Sequence, residues 1–370
     1  MKVLLTGASG FLGWHTRLRL HALTDHEVVP VSRANWSELP RLVAGADAVI
    51  HIAGVNRGDD GEVKTGNVRL AEDVAAALTA GSGPIDVVYA DSIQAGNGSP
   101  YGTGKASAAE ILHHATRSQG GRFSDVLLPN LFGEHGRPRY NSFVATFIDA
   151  TIRGDTPTIN DNQVMLLSAQ GAADALIGAL HGIGDTQPTG ETHGVQEVWD
   201  LLQEFHPIYP ETGEFPDLST DFRIDLFNAY RAALFPVGYP IALTPHSDPR
   251  GSFVETVRCR GGEGQTSFST TVPGITRGEH YHLRKIERFA VIAGQARIRL
   301  RKMFTDDVLD FDVHGDKPMA IDMPIGWVHN ITNTGEETLL TQFWAHELFR
   351  PDAPDTFPET VDSVAEGVSR

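Results

Sequence analysis

A short apolar run followed by three spaced glycines constrains the fold of this chain more than any other stretch. Val3-Leu4-Leu5 has the continuous hydrophobicity of a buried parallel strand, and a helical pattern follows the glycines. Gly7 permits a tight turn, Gly10 lets the backbone approach a phosphate, and Gly13 lets helix and strand pack closely. The stretch therefore predicts the first strand, turn and helix of a dinucleotide-binding sheet, with helix amides aimed at the phosphates.

Strand and helix patterns alternate over roughly the first 130 residues. Buried strands are predicted at 28–31, 48–54, 87–90 and 126–128, and an amphipathic helix is predicted at 67–80. Parallel strands need crossover connections, which the intervening helices provide. This part of the chain therefore predicts an α/β fold with a Rossmann-type, doubly wound parallel sheet.

The residues at two predicted strand ends bear on the choice of cofactor. An acidic residue at the end of the second strand would select NAD, whereas an arginine suits a 2′-phosphate. Arg33 stands at that position and favours NADPH, with a solvated arginine as the open alternative. Ala53 and Gly54 end the third strand with small residues, against whose backbone a cofactor could lie.

A serine, a tyrosine and a lysine follow the fourth predicted strand. Pro100 favours a helix start, which places Tyr101 and Lys105 one turn apart on the same face. Free tyrosine has a pKa near ~10, and a lysine cation one turn away favours its phenolate. The hydroxyl of Ser92 can hold a substrate oxygen beside the phenol. The three residues are equipped to protonate a carbonyl oxygen during hydride transfer; an ordinary exposed helix start is the alternative.

These residues, with Pro129-Asn130-Leu131-Phe132-Gly133, resemble the extended short-chain dehydrogenase/reductases, which mostly act on nucleotide sugars. The resemblance implies that Tyr101 is the acid/base and that Ser92 holds the carbonyl. It implies that Lys105 orients the ribose and lowers the pKa of the tyrosine, and that Asn130 lines the nicotinamide and sugar pocket. The expected cofactor contacts are Gly7, Ser9, Gly10, Phe11, Leu12, Gly13, Arg33, Ala53, Gly54, Tyr101, Lys105 and Asn130.

The sequence departs from this family at two places. Asp91-Ser92 stands where a serine-rich run is common, and 169–174 replaces a segment that usually reads aromatic-Val-Asp-Asp, which leaves the sugar contacts open. Residues 135–240 contain helical patterns at 141–152 and 195–205, and the resemblance implies a substrate lobe followed by a crossing segment. Four arginines are candidates for a diphosphate, although ordinary surface charge is the better explanation of any one of them: Arg137, Arg139, Arg153 and Arg223.

The pattern of predicted secondary structure changes near residues 234–240. Beyond it, short strands separated by Gly, Pro and Asp predict an all-β sandwich or barrel. We therefore expect an NADP-binding reductase domain with a substrate lobe at 1–242 and a β domain at 243–370. In the β domain, three imidazoles and a carboxylate form a candidate site for a divalent metal, with histidines in a polar barrel interior as the alternative; its ligands are His280, His282, Glu287 and His329.

The spacing of these four residues matches both halves of the cupin motif, so the β domain resembles a cupin with a jelly-roll fold. The resemblance suggests zinc, and spacing alone leaves iron and manganese open. The segments around Arg250 and Arg277 are similar to substrate segments of deoxysugar 3,5-epimerases, so both arginines are candidate substrate contacts. In those enzymes a histidine at the position of His280 removes the proton next to a ketone.

The base of an epimerase reaction stays open at this point. A metal-bound imidazole is a poor base, so either the metal is absent or a residue other than His280 removes the proton. His314, Tyr281 and Lys285 are weak alternatives.

The order of the two domains resembles the capsular polysaccharide enzymes of the CapF family (also WbjC or FnlB) across essentially the whole chain. Further matches lie at 53–57, 130–133, 140–142 and 273–276, and they add Asn141 as a candidate substrate contact. The resemblance implies C3 epimerisation of a UDP-2-acetamido-2,6-dideoxy-4-ketohexose by the cupin. NADPH-dependent C4 reduction to UDP-2-acetamido-2,6-dideoxy-L-talose would follow, on the way to N-acetyl-L-fucosamine. The C3 proton is acidic only while C4 is a ketone, so epimerisation must come first.

Two other functions remain open on the sequence. One is a 4-ketosugar reductase whose cupin only binds a ligand or mediates dimerisation. The other is a non-catalytic regulator that senses NADP, although such sensors typically lack an intact tyrosine and lysine.

Charge and composition limit the classes of molecule that the protein is expected to bind. The 47 acidic and 30 basic residues give a net charge of −17, which disfavours nucleic-acid binding. The sequence has no apolar run near the ~20 residues of a membrane span, and a strand begins too early to leave room for a signal peptide. Cys259 is the only cysteine, so a reducing compartment fits. We expect a cytoplasmic homodimer that binds a UDP-sugar.

Overall fold

The computed structural model describes residues 1–81, 83–182 and 186–362 of the chain. The chain forms two compact units, of which the first comprises Met1–Phe147 and Thr158–Glu197. The second comprises Ile148–Pro157 and Val198–Arg370. Across the described ranges, no helix is long and apolar enough to cross a membrane.

A parallel sheet forms the centre of the first unit. Its strands are β1 (Lys2–Thr6), β2 (Glu27–Val31), β3 (Ala48–His51), β4 (Asp86–Ser92) and β5 (Phe123–Leu128). They pair in the order β2-β1-β3-β4-β5, and all four pairings are parallel. The chain runs from β1 to β2 on one side and returns to β3 on the other. The crevice at the carboxyl ends of β1 and β3 is therefore the topological switch point, where open α/β sheets bind ligands.

Eight helices are described. They are α1 (Phe11–Leu23), α2 (Leu39–Ala44), α3 (Asp60–Ala80), α4 (Pro100–Ser118), α5 (Phe143–Arg153), α6 (Ala169–Leu180), α7 (Val195–Thr212) and α8 (Asp221–Leu234), with a 3₁₀ turn at Trp36–Glu38. A small sheet follows the large one and contains β6 (Asn130–Phe132), β7 (Gln163–Ser168) and β8 (Glu191–Gly194).

Helices cover both faces of the large sheet. Leu4 and Val49 pack with residues of α2, α3 and α4, whereas Val3, Leu5 and Ile50 pack with residues of α1 and α6. Successive strand residues point to opposite faces, so a sheet covered on both sides needs apolar residues at consecutive positions. The prediction of a doubly wound parallel sheet is confirmed.

The second unit contains two five-stranded antiparallel sheets and two smaller strand pairs. Its strands are β9 (Phe215–Asp217), β10 (Ile241–Ala242), β11 (Pro245–Asp248), β12 (Gly251–Val254), β13 (Cys259–Gly261), β14 (Gln265–Thr271), β15 (Thr276–Tyr281), β16 (Glu287–Ala293), β17 (Gln295–Lys302), β18 (Val308–His314), β19 (Met319–Met323), β20 (Trp327–Asn333), β21 (Leu339–Ala345) and β22 (Phe357–Pro358). One large sheet has the order β10-β19-β16-β21-β14 and the other β18-β17-β20-β15-β22. β11 and β12 form an antiparallel pair, and β9 and β13 form a parallel pair. The two large sheets share one apolar core, which includes Phe289, Ile298 and Ile331. The prediction of an all-β C-terminal region is confirmed.

The segment before residue 242 packs with the β region. The ring of Phe215 stacks on Trp344 at 4.3 Å, and β9 pairs with β13. The second unit therefore includes the chain from Val198 onward together with Ile148–Pro157, and the domain boundary at residue 242 stays a prediction.

A buried ion pair holds this segment to the sheet. Arg288 and Asp322 are cross-strand partners, and the guanidinium donates two hydrogen bonds to the carboxylate, at 2.6 and 2.8 Å. Tyr209 on α7 donates a third at 2.6 Å, and Arg288 also donates to the carbonyl oxygen of Gly213 at 2.8 Å. Both charged side chains are almost fully buried. Such a pair is stabilising only while every partner is present.

Asp322→Asn removes the negative charge that balances the buried guanidinium of Arg288. We expect the free energy of unfolding of the second unit to fall by about 3–5 kcal/mol, measured by urea denaturation of the full chain with tryptophan fluorescence. Asp312→Asn is the control, because its ion pair with Arg297 is exposed and should leave the midpoint nearly unchanged. Equal midpoints for the two variants would show that the buried pair has no such role.

Candidate functional site

The glycine turn lies at the switch point of the parallel sheet. Gly7 has φ +70°, and a Cβ there would lie 2.8 Å from the amide nitrogen of Ala53. A Cβ on Gly13 would lie 2.0 Å from the carbonyl oxygen of Gly7. Gly10 is the N-cap of α1, and among the described residues no side chain caps this helix. Its first-turn amides are therefore available to an anion such as a phosphate.

The other expected cofactor contacts lie along the carboxyl ends of the strands. Ser9 is exposed, and Phe11 and Leu12 in the first turn of α1 are half-buried. Thr6 accepts hydrogen bonds from the amides of Ile52 and Ala53, which fixes the chain just beyond β3.

Three polar residues that were expected to contact the cofactor or the substrate are exposed. Arg33 lies in the turn after β2, Asn130 begins β6, and Asn141 precedes α5. Asn130 donates a long 3.5 Å hydrogen bond to the carbonyl oxygen of Met165. The structure gives the positions of these three side chains and leaves their predicted roles untested.

Ser92, Tyr101 and Lys105 meet between β4 and α4. Ser92 ends β4, and it lies near enough to the half-buried phenol of Tyr101 to influence the pKa of that group. Ser99 caps α4 by accepting from the amide of Gly102, and Pro100 occupies the first turn, so the helix begins where the sequence predicts. Lys105 is one turn further on and is 5% exposed.

Burial dominates the electrostatics of this group. Burial raises the pKa of Tyr101, the charge of Asp91 adds to the increase, and the nearby Ser92 opposes it. Lys105 was expected to lower the pKa of the tyrosine, but the net shift is upward, with burial as its largest cause. Burial lowers the pKa of Lys105 to about 8, although Asp91 and Asp125 act in the opposite direction. The phenol is therefore protonated at neutral pH, which is the state of a proton donor.

A row of polar side chains, which no sequence motif indicates, crosses the sheet next to these residues. Thr6, His51, Tyr89 and Asp125 are register partners across β1, β3, β4 and β5. Each falls within or next to an apolar run and looks unremarkable alone. The departure at Asp91 was the available signal, because it puts a carboxylate where a hydroxyl is common.

The second unit brings together all four predicted metal ligands. One ligand atom from each of these side chains lies within 4.8 Å of the other three: His280, His282, Glu287 and His329. His280 and His329 are partners across β15 and β20, and a bulge between Gly278 and His280 adjusts the register there. Glu287 begins β16 in the facing sheet, 3.0 Å from Nε2 of His282.

A carbonyl and a carboxylate fix the loop that carries His282. Nδ1 of His282 lies 2.5 Å from the carbonyl oxygen of Asp355, which leaves Nε2 to face Glu287. The carboxylate of Asp355 accepts hydrogen bonds from the amides of Leu283, Arg284 and Lys285. A second partner of this kind is typical of metal-binding histidines. Sequence spacing gave no signal for Asp355, which lies about 70 residues away.

The charges and contacts of the cluster fit a divalent cation. Burial and the neighbouring imidazoles lower the pKa of His280 to about 3, and burial lowers the pKa of His329, so both rings are neutral. Burial alone would raise the pKa of Glu287, but His282 and His329 hold it well below its usual value. Nε2 of His329 is buried and forms no hydrogen bond within the described residues. A bound cation would satisfy that atom.

The three residues considered as alternative bases for the epimerisation lie in different surroundings. Lys285 donates to the carbonyl oxygen of Pro354 at 2.5 Å, Tyr281 is buried, and His314 is exposed at the end of β18. Arg277 is exposed on β15. Arg250 lies between β11 and β12, where it pairs with Asp248 and its side chain is 90% exposed.

Comparison with known families matches both parts of the chain. Residues 3–169 match the NAD-dependent epimerase/dehydratase family, and residues 246–357 match the polysaccharide biosynthesis C-terminal domain.

Individual relatives extend the match to the full length. A UDP-2-acetamido-2,6-beta-L-arabino-hexul-4-ose reductase of Pseudomonas aeruginosa is 33% identical, over 99% of this chain and 100% of the relative. The crystal structure of the capsular polysaccharide assembling protein CapF of Staphylococcus aureus is 32% identical, with a TM-score of 0.62 over 98% of this chain and 100% of that one. The spore coat polysaccharide biosynthesis protein SpsL of Bacillus subtilis is 31% identical over 30% of this chain and 81% of its own length.

If the four-residue cluster is a metal site, the protein should bind Zn²⁺ again after a chelator has removed any metal. We expect it to bind one equivalent of Zn²⁺, measured by isothermal titration calorimetry. His329→Ala should weaken binding by at least ~100-fold, because it removes a ligand rather than a supporting contact. His246→Ala changes an exposed histidine on β11 and should bind like the unchanged protein. Equal affinities in all three proteins would contradict the site.

Proposed function

The chain belongs to the family of two-domain capsular polysaccharide enzymes that includes CapF, and on this premise we propose that it is a bifunctional nucleotide-sugar enzyme. Its substrate is a UDP-2-acetamido-2,6-dideoxy-4-ketohexose, which is epimerised at C3 in the β domain. Reduction at C4 in the parallel-sheet domain then gives UDP-2-acetamido-2,6-dideoxy-L-talose. The placement of Ser92 at the end of β4, with Tyr101 and Lys105 one turn apart on the adjacent α4, carries the reductase half of the proposal.

The tyrosine is the proton donor in the reduction. The hydroxyl of Ser92 holds the C4 carbonyl oxygen, and the phenol of Tyr101 gives that oxygen its proton. The raised pKa of Tyr101, caused first by burial, keeps the phenol protonated before the reaction. The cation of Lys105, one helical turn further along α4, favours the phenolate that remains after transfer.

The nicotinamide cofactor supplies the hydride when it is bound. The first-turn amides of α1, which no described side chain caps, and the close backbone approach of Gly7 to Ala53 support a pyrophosphate site at the switch point. Arg33 after β2 supports NADPH over NADH, because a guanidinium suits a 2′-phosphate.

The four-ligand cluster supports a metal-assisted epimerase. A zinc ion there would supply a Lewis acid that polarises a carbonyl oxygen. His280, His282, Glu287 and His329 would hold it, so the base that removes the C3 proton is a different residue. Zinc follows from family resemblance, the homodimer is an inference, and the cytoplasmic location follows from composition and the single cysteine; all three are parts of the proposal.

Tyr101→Phe should abolish reduction and leave the binding of NADPH largely intact, because only the proton donor is lost. Oxidation of NADPH by the 4-keto UDP-sugar is followed by absorbance, and cofactor binding by fluorescence. Turnover at the original rate would remove Tyr101 from the mechanism.

The same variant isolates the epimerase half. In heavy water, Tyr101→Phe with the 4-keto UDP-sugar and no NADPH should incorporate one deuterium at C3, detected by NMR. Glu287→Gln in that background removes a carboxylate from the cluster and should reduce the incorporation to that of an enzyme-free control. Incorporation no faster than the control, with reduction intact in the original chain, would favour a reductase whose β domain only binds ligand or mediates dimerisation.

A further inference from the structure

Five polar side chains share one face of the parallel sheet near its carboxyl edge. Thr6, His51, Tyr89 and Asp125 occupy adjacent strands in direct register. Asp91 is two residues beyond Tyr89 on β4 and therefore points to the same face. This face is the one covered by α3 and α4, the helix that carries Tyr101.

Lys105 inserts its ammonium into this row. Its Nζ donates to the carbonyl oxygen of Ala90 at 2.6 Å and lies 3.9 Å from a carboxylate oxygen of Asp91. It also lies 4.0 Å from the centre of the Tyr89 ring. A fully buried ammonium needs a nearby negative charge to remain protonated.

Asp91 and Asp125 together provide that charge. Asp91 is 4% exposed and accepts a hydrogen bond from the amide of Ser92 at 2.8 Å. Asp125 is the register partner of Tyr89, two residues before Asp91, so the two carboxyl groups lie on the same face of neighbouring strands. Two carboxyl groups that share a buried site cannot both ionise readily, so one of them tends to keep a proton. Burial and the neighbouring charge of Asp91 raise the pKa of Asp125, so one carboxyl of the pair retains a proton to unusually high pH.

The other groups that face Lys105 do not supply a counter-charge. Burial lowers the pKa of His51 to about 3, so this ring is neutral, and burial raises the pKa of Tyr89. Tyr101, on the same helix, stays protonated. From α3, the backbone of Lys64 approaches α4 at Gly104, while its side chain is exposed.

We propose that Asp91 and Asp125 are positioning residues of the reductase, a proton-sharing pair that presents one negative charge to Lys105 and keeps its ammonium in place behind Tyr101. The proposal rests on the reductase function proposed above. It also gives a role to Asp91, which replaces the more usual serine. With a serine there, Asp125 would be the only carboxylate facing the ammonium from this row.

The first test compares pH profiles of kcat for ketosugar reduction. The double variant Asp91→Asn, Asp125→Asn removes both acidic groups, so the pKa of Lys105 should fall and the high-pH limb should move down by about 1–3 pH units. Asp125→Asn alone keeps one negative charge on Asp91 and should keep the limb close to its original position. Lower activity with an unmoved limb in the double variant would mean that the pair is merely structural.

The second test does not depend on turnover. Aspartate labelled with ¹³C at the side-chain carboxyl carbon is titrated by NMR in the full chain, and we expect one carboxyl to titrate well above the usual ~4. This signal should vanish in Asp125→Asn, while the exposed Asp312→Asn retains it. Absence of any such carboxyl in the unchanged protein overturns the proposal. A shifted carboxyl in a protein that does not reduce the ketosugar would support the pair and contradict the proposed function.

Discussion

The proposed reductase site depends on how the sheet holds the buried ammonium of Lys105. This group extends from α4 to the carboxyl end of β4. A cation in that place has lost most of its hydration and must be held by groups of the sheet itself. The carbonyl oxygen of Ala90, the ring of Tyr89 and the carboxylate of Asp91 do so, at 2.6, 4.0 and 3.9 Å. The cation then lies one helical turn from the phenol that must lose a proton, and the sheet order brings the glycine turn to the same edge.

The second unit also buries charged and polar side chains, but with different partners. Its core is apolar, yet it contains a buried ion pair between Arg288 and Asp322 and a cluster of three imidazoles with Glu287. Every charged atom of the ion pair has a hydrogen-bond partner, whereas Nε2 of His329 forms no hydrogen bond among the described residues and lies 3.4 Å from a carboxylate oxygen of Glu287. Complete satisfaction suits a structural role, and an unsatisfied buried nitrogen aimed at other ligands suits a metal.

Local patterns made the fold and much of the site predictable. The doubly wound sheet follows from consecutive apolar residues such as Val3 and Leu4, and the meeting of the four candidate metal ligands follows from spacing on paired strands. Contacts between distant segments were not predictable, because no local period encodes them. The carboxylate of Asp125 meets Asp91 only through strand pairing, and Asp355 supports His282 from a late loop. The direction of the Tyr101 pKa shift was also missed, since it depends on burial rather than on spacing.

The most direct measurement is the structure of the product formed from the 4-keto UDP-sugar and NADPH that carries deuterium at C4 of its nicotinamide. We expect NMR of the product to show one deuterium at C4 of the sugar. We also expect the L-talo configuration, which requires inversion at C3. Recovery of unreduced sugar with the labelled cofactor unspent would contradict these expectations.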